Sequence, residues 1–235
     1  MQTHVQIEQQ TKISWLEFLG ILLMIILVIP IINAVFTILP IELYGYARPN
    51  THKSLLESLE NISYECIALF FLILYIVKYK PLKTLVLPAI DFQCLKSFRT
   101  YAYVLLYYAI GVFIDLVILD KFFPNSVQEQ VDALDFATLE QYKFLLILAV
   151  GLLAPIKEEL ICRGILLRFF EEKFTFWPAA IISSLLFGIA HTYSVGIMVS
   201  AFITGLFASL LYKQTNSIIP AILLHITINT CSFLY

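Results

Sequence analysis

Charged side chains are scarce in this sequence, and their scarcity excludes several classes of protein. Only 14% of the 235 residues are Asp, Glu, Lys or Arg, whereas soluble domains carry about 25%. The net charge is −2 and no basic run occurs, so a nucleic-acid partner is not expected. The cysteines show no paired spacing, so we expect free thiols rather than a disulfide framework. They are Cys66, Cys94, Cys162 and Cys231.

Apolar residues take the place of charge. Hydrophobic residues make up 60% of the chain, which has 19 Phe and 13 Tyr, and the mean hydropathy is +0.86. So few charges could not cover a water-facing surface. The composition therefore predicts a protein whose partner is the lipid bilayer and whose location is the cell membrane.

Seven apolar segments approach or exceed the roughly 20 residues that a membrane-spanning helix needs. They lie at about 15–39, 59–77, 101–119, 142–170, 177–192, 195–212 and 217–234. The fifth and sixth are short and nearly contiguous, which is compatible with a hairpin that does not cross fully. These segments predict an all-α, polytopic membrane helix bundle of about seven transmembrane helices, forming a single integral membrane domain over residues 1–235.

The links between these segments predict the orientation. The link after the second segment is basic, and basic links face the cytoplasm, so the N-terminus is predicted to be cytoplasmic. Its basic residues are Lys78, Lys80, Lys83, Lys96 and Arg99. Residues 124–140 then face outward, and their spacing indicates a short amphipathic helix at the membrane surface. The apolar residues of that helix are Val127, Val131, Leu134 and Phe136.

The fourth segment contains the sequence KEELICR at 157–163. Charged groups inside a membrane are costly and mark functional candidates. Successive helix residues differ by about 100°, so Glu158 and Glu159 point to different faces. Glu159 and Arg163 are four residues apart, as in a structural ion pair. Glu158 has only Cys162 one turn later, which leaves it a candidate general base; the side chain of Lys157, a possible neutraliser, diverges from it.

Pro155 lies just before this motif. Proline lacks a backbone donor and clashes with the preceding turn. We therefore expect a kink or a helix start near Ala154, with free backbone groups close to Glu158.

Two later segments carry histidines at helical spacing. Phe187 and His191 are four residues apart in FGIAH, and His225 and Asn229 are four apart in HITIN. Imidazole holds or donates a proton near pH 7, and an amide can donate to a developing oxyanion. A single histidine would be interpreted as core, but two histidines, an amide and an acid on three segments predict a polar pocket. Phe187 itself is interpreted as packing.

Depth along the helices supports this pocket in part. Counted from the cytoplasmic ends, Glu158 lies roughly 15 Å deep and His225 roughly 12 Å deep. His191 lies roughly 21 Å from the start of its segment, which is deeper than the other two.

Together, E158-E159-L-I-C-R163, F187-G-I-A-H191 and H225-I-T-I-N229 resemble the EExxxR, FxxxH and HxxxN/B motifs of one family. This is the CAAX prenyl protease and bacteriocin-processing family, also called the abortive-infection proteins. The resemblance covers roughly residues 150–235. It implies an all-helical intramembrane glutamate endopeptidase, without a metal cofactor, whose substrate is a membrane-associated peptide or a prenylated or otherwise lipidated protein.

The resemblance also implies roles for individual residues. Glu158 with His191 activates the attacking water. His225 and Asn229 stabilise the oxyanion. Glu159 and Arg163 are supporting residues that position the helix and tune Glu158.

Three alternatives remain open at this stage. Two histidines and a glutamate can bind zinc, so an intramembrane metalloprotease is possible, although the helical HExxH arrangement is absent. A non-catalytic immunity or regulatory scaffold would use the same residues to hold helices together. A transporter is disfavoured because no paired broken segments are visible.

Other intramembrane acids are given structural interpretations. Glu60, Glu65 and Asp115 lie near the outer ends of their segments, where we expect them to reach the interface or to pair locally. Glu17, beside Trp15, is interpreted as an interfacial anchor.

Overall fold

The computed structural model describes residues 12–134 and 140–233, and every regular element in these ranges is helical. The prediction of an all-α protein is confirmed. The main helices are α1 (Trp15–Ala47), α2 (Lys53–Lys78), α3 (Lys80–Val86), α4 (Phe98–Phe122), α5 (Ser126–Ala133), α6 (143–173), α7 (Phe176–Ala190), α8 (Val195–Thr215) and α9 (Ile219–Ser232).

Three prolines lie inside helices without ending them. Pro30 and Pro40 lie in α1, and Pro155 lies in α6. Each follows a stretch of wider, π-helical turns, at Met24–Val28, Ala34–Ile38 and Ile147–Leu153 respectively. A wide turn gives the proline ring room that a regular α-turn lacks. A separate helix start is not observed near Ala154: the turns change from π-helical to α-helical there, and α6 continues through Pro155.

In the part of the chain that the structure describes, four helices are long and apolar enough to cross a membrane: α1, α2, α4 and α8. The apolar side chains of α1 and α4 point largely outward, with Leu16 at 79% and Leu116 at 71% exposure. Such a surface needs a lipid environment, and the expected membrane location is supported.

The predicted count of seven spans is not confirmed. The apolar helices α7 and α9 have 15 and 14 residues, fewer than the roughly 20 that span a bilayer. The sixth predicted segment was expected to be short, yet α8 has 21 residues. Helix α6 is long, but Lys157, Glu158, Glu159 and Arg163 interrupt its apolar sequence.

The helix ends lie at two opposite ends of the bundle. At one end, Lys173 donates to the Ile13 carbonyl at 2.7 Å and the Ile218 amide donates to the Ala89 carbonyl at 2.9 Å. At the other end, the Ser54 hydroxyl donates to the Gln141 side chain at 2.8 Å. Helices α2 and α6 therefore begin at the same end of the bundle, and α6 ends where α1 begins.

The predicted amphipathic helix over 124–140 is present in part. Helix α5 covers Ser126–Ala133 and lies against the start of α8. Val127 is exposed, as a membrane-surface helix requires. Residues 135–139, including Phe136, lie outside the described residues.

The amino-terminal helix is fastened to α6 by aromatic contacts. The rings of Phe18 and Phe169 stack with centroids 3.7 Å apart, and Trp15 meets Phe169 edge-on at 5.0 Å. Phe18 and Phe169 belong to the largest buried apolar cluster of the described residues, which joins α1, α2, α3, α6, α7 and α8. Helix α6, which carries KEELICR, is thus held from both sides.

Candidate active site

A buried carboxylate lies at the centre of the polar residues. Glu159 on α6 is fully buried, and its Oε1 accepts hydrogen bonds from Arg163 Nη1 at 2.9 Å and His225 Nδ1 at 3.1 Å. The ion pair predicted from the four-residue spacing is therefore present. The contact with His225 brings α9 against α6 and joins the first and third motifs.

Arg163 has a second anchor on α8. Its Nη2 donates to the Gly205 carbonyl at 2.7 Å. A Cβ at position 205 would lie 2.9 Å from that nitrogen and 2.9 Å from Cβ of Ser184 on α7. Only glycine lets the α8 backbone approach so closely. The motif analysis gave no role to Gly205, because an isolated glycine in an apolar helix carries little signal.

The neighbouring Glu158 faces the other nitrogen of the same imidazole. Oε2 of Glu158 lies 3.7 Å from Nε2 of His225, and 28% of the Glu158 side chain is exposed. The two adjacent glutamates therefore diverge, as predicted, with Glu159 enclosed and Glu158 accessible. A separation of 3.7 Å is longer than a direct hydrogen bond but lies within the range of an ion pair with a protonated imidazole.

Phe187 contacts site residues of all three motifs. Its ring contacts His191 at 4.6 Å and His225 at 5.4 Å between centroids, and the Arg163 guanidinium lies 5.0 Å from the ring centroid. The interpretation of Phe187 as packing holds, but it packs against three site residues. Its contact with Arg163 also offsets part of the cost of burying that cation.

His191 follows the last residue of α7, and its ring turns back along the helix. Its Nδ1 lies 2.8 Å from the Phe187 carbonyl oxygen. A carbonyl can only accept, so Nδ1 carries the hydrogen and Nε2 of the neutral ring is left to accept a proton. Because the ring returns by one turn, His191 joins the site despite its greater depth in the sequence count.

Asn229 pairs with the backbone beside Pro155. The Ala154 amide donates to the Ala149 carbonyl, five residues back. The next donor in that pattern would serve the Val150 carbonyl, but it would come from Pro155, which has no N–H. Asn229 Nδ2 supplies this donor at 2.9 Å. The expected free backbone group near Glu158 is therefore the Val150 carbonyl, and the HxxxN motif provides its partner.

Lys157 and Glu65 form an ion pair that the sequence did not predict. Lys157 Nζ lies 2.7 and 2.6 Å from the two carboxylate oxygens of Glu65 on α2. Glu65 was expected to reach the interface or pair locally, and that expectation is wrong. The pairing depends on the rotation of α2 against α6, which apolar periodicity does not fix.

The structure therefore brings Glu158, Glu159, Arg163 and His225 together directly. His191 joins them through Phe187. Asn229, one turn after His225, contacts α6 at Val150. Across the described ranges, no group of three His, Cys, Asp or Glu side chains is arranged to hold a metal ion. The four cysteines are free thiols, as expected.

The comparisons with known proteins find a family similarity in the carboxy-terminal part of the chain. Residues 140–231 match the type II CAAX prenyl endopeptidase Rce1-like family. The match agrees with the resemblance drawn from the three motifs: residues 140–231, less than half of the chain, are similar to the Rce1-like CAAX endopeptidases. The family is one of proteases, which supports protease activity in general.

A curated relative matches over a similar length. A stretch of 95 residues is 34% identical to an uncharacterised 24.3 kDa protein of Escherichia coli. The match covers 39% of this chain and 44% of that protein, so the chain spans less than half the length of the relative. No solved structure matches the chain.

Proposed function

We propose that the protein is an intramembrane endopeptidase of the glutamate type, which hydrolyses a peptide bond of a membrane-associated or lipidated substrate. The observation that carries the proposal is the placement of one imidazole between two carboxylates of different exposure. His225 meets buried Glu159 at 3.1 Å and accessible Glu158 at 3.7 Å. A purely structural ion-pair network would need Glu159 and Arg163 but not an accessible second acid.

In the proposed reaction, Glu158 takes a proton from a water molecule while the water oxygen attacks the substrate carbonyl carbon. The carbonyl electrons move onto its oxygen. Collapse of this intermediate breaks the C–N bond, and the proton passes to the leaving nitrogen from Glu158 or through Nε2 of His191. Each proton and electron pair is accounted for without a cofactor. General acid–base catalysis of this kind contributes about 10²–10⁴-fold.

The oxyanion is stabilised by His225 in this proposal. With Nδ1 donating to Glu159, a protonated His225 presents Nε2–H to the pocket. Glu158, Glu159, Arg163 and His225 then carry no net charge together, which suits a site enclosed by apolar helices. Asn229 is the proposed second donor, and its amide has one N–H beyond that given to Val150. Glu159 and Arg163 hold the imidazole in place.

The substrate class follows from the family and the surroundings. The Rce1-like family is one of type II CAAX prenyl endopeptidases, and α1 and α4 carry apolar side chains that point outward, as in a protein surrounded by lipid. We propose a lipidated or apolar peptide that approaches within the bilayer. We also propose a multi-pass protein with a cytoplasmic N-terminus. Lys173 at the end of α6 contacts Ile13 beside the start of α1, and Tyr79, which follows Lys78, contacts Glu17, so these lysines lie at the same end as the N-terminus.

The test is cleavage by purified protein in liposomes. Two internally quenched peptides serve as substrates, one ending in a farnesylated Cys-aliphatic-aliphatic-X sequence and one without the lipid. We expect wild-type protein to cleave the farnesylated peptide, and Glu158→Gln and Glu158→Ala to lose cleavage by a factor on the order of 10² or more. Cleavage of neither peptide by the wild type, or wild-type rates in both variants, contradicts the proposal.

A matched control is available on α4. Asp115 is another carboxyl group in an apolar helix, and it lies outside the helices that carry the three motifs. Asp115→Asn therefore removes an intramembrane acid without touching the site, and we expect cleavage to persist.

The alternative is a non-catalytic membrane scaffold. The full burial of the Glu159–Arg163 pair and its contacts with α8 and α9 favour this reading as well. A scaffold would keep its biological effect in Glu158→Ala, whereas a protease would lose it.

A further inference from the structure

The carboxylate of Glu65 lies beside the site although α2 is outside the region that matches the family. Glu65 and Lys157 make two contacts of 2.6 and 2.7 Å, and their side chains are only 14% and 16% exposed. The Lys157 ammonium also lies 5.5 Å from the ring centroid of Tyr64. This cation is therefore held by two successive residues of α2.

The position of α2 is itself fixed by a buried polar contact. Asn33 on α1 is fully buried, and its Nδ2 donates to the Tyr64 carbonyl at 3.2 Å. Thr37, one turn later, donates to the side-chain oxygen of Asn33 at 3.3 Å. Buried polar contacts of this kind set the rotation of one helix against another. The rotation directs Glu65 towards α6.

Lys157 has a second anion within its neighbourhood. Glu158 is the adjacent residue and is only partly exposed. Lys157 therefore has the Glu65 carboxylate as its partner on α2 and the Glu158 carboxylate on the next residue of its own helix. A buried ammonium without its partner is strongly destabilised and would turn to another carboxylate.

We propose that Glu65 is a positioning residue of the active site, which holds the Lys157 ammonium on α2 and thereby leaves the Glu158 carboxylate free to accept a proton from water. The proposal rests on the proposed function of Glu158 and extends it to a part of the chain that the family match does not cover. An ammonium bound to Glu158 would neutralise the base and occupy the place of the attacking water. Glu65 therefore acts through Lys157 and touches neither the substrate nor the reacting atoms.

The test compares three variants in the liposome cleavage assay: Glu65→Gln, Lys157→Gln and the double variant. In Glu65→Gln the ammonium loses its partner and can bind Glu158, so we expect kcat to fall about tenfold with less than about a twofold change in KM. In Lys157→Gln no ammonium remains, so kcat stays within about threefold of the wild-type value. The double variant should likewise recover kcat to within about threefold of the wild type.

This order of activities separates positioning from a merely structural role. If the pair only holds α2 against α6, both single variants and the double variant lose activity in parallel with thermal stability. Such a parallel loss overturns the proposal, as does a wild-type kcat in Glu65→Gln. If Glu65→Gln does not fold, Lys157→Gln alone decides the matter, since a tenfold loss of kcat in that variant contradicts the proposal.

A second acid–lysine pair on α2 provides the control. Lys53 and Glu57 lie 3.1 Å apart, four residues from each other, with side chains 76% and 31% exposed. Exposed pairs contribute little, and we expect Glu57→Gln to leave kcat unchanged. The proposed function fails separately, if the wild-type protein cleaves neither peptide; the inference fails if the wild type cleaves and Glu65→Gln cleaves equally well.

Discussion

Nδ1 of His225 lies 3.1 Å from Oε1 of Glu159, although 66 residues separate the two in the chain. Glu159 is an acceptor on that side, so the imidazole is oriented with its second nitrogen towards Glu158. The contact makes His225 dependent on the ion pair between Glu159 and Arg163. Four predictions follow from this dependence and from the contacts around it.

Replacing one member of the buried Glu159–Arg163 pair should lower the free energy of unfolding more than replacing both. Glu159→Leu leaves the Arg163 guanidinium buried without its anion, and Arg163→Met does the converse. We expect each to lower the free energy of unfolding by about 3–5 kcal/mol. The double variant should recover most of this loss, because no charge is left uncompensated. Thermal unfolding in detergent measures stability. We expect all three variants to lose peptide cleavage, because His225 loses the contact that orients it.

His191 should affect activity much more than stability. It follows the end of α7, is only partly buried, and makes its hydrogen bond to the carbonyl of Phe187. His191→Ala is expected to reduce kcat by about 10²-fold or more, with a change in unfolding free energy below about 1 kcal/mol. The exposed His52 before α2 is the control. Equal activity in His191→Ala and wild type would remove His191 from the proposed mechanism.

Asn229 is expected to pair with the Val150 carbonyl and to stabilise the oxyanion. A substitution at Pro155 separates these two roles. Asn229→Ala leaves the Val150 carbonyl without a donor, which we expect to lower stability by about 1–3 kcal/mol. In a Pro155→Ala background the backbone N–H is restored, so the same change should cost less. Stability and cleavage are measured side by side. Recovery of both would show that Asn229 serves only α6, whereas recovery of stability alone supports oxyanion stabilisation.

Metal removal distinguishes the glutamate mechanism from the zinc-dependent one. If Glu158 acts on water directly, prolonged treatment with a chelator should leave the cleavage rate unchanged. Loss of activity on chelation, restored by added zinc and accompanied by stoichiometric bound zinc, would instead favour the metalloprotease. Atomic absorption of the purified protein supplies the stoichiometry.

Local contacts of the site were predictable from the sequence, and the long-range contacts were not. The Glu159–Arg163 pair follows from a spacing of four residues on one helix, which fixes the relative position of two side chains. The Lys157–Glu65 pair joins two helices, and its geometry depends on their rotation and relative height. The same uncertainty affected His191, whose ring turns back by one turn after the helix ends.

Helix ends were predicted less well than helix identity. The first segment was expected to end at Leu39, before Pro40, but α1 continues to Ala47. Proline usually stops a helix because its ring clashes with the preceding turn. The wider turns before Pro30 and Pro40 relieve this clash, and the composition of those turns did not distinguish them from ordinary α-helix.

The aromatic stack between Phe18 and Phe169 has a consequence for how the protein can be divided. A fragment reduced to residues 140–231 would lose α1 to α5, and would expose to lipid or detergent the side of α6 that packs against α1 and α2. Lys157 would also lose its anion. In a chimaera of two homologues, α1, α2 and α6 should therefore come from the same parent. The side chains that contact one another across these helices then stay matched.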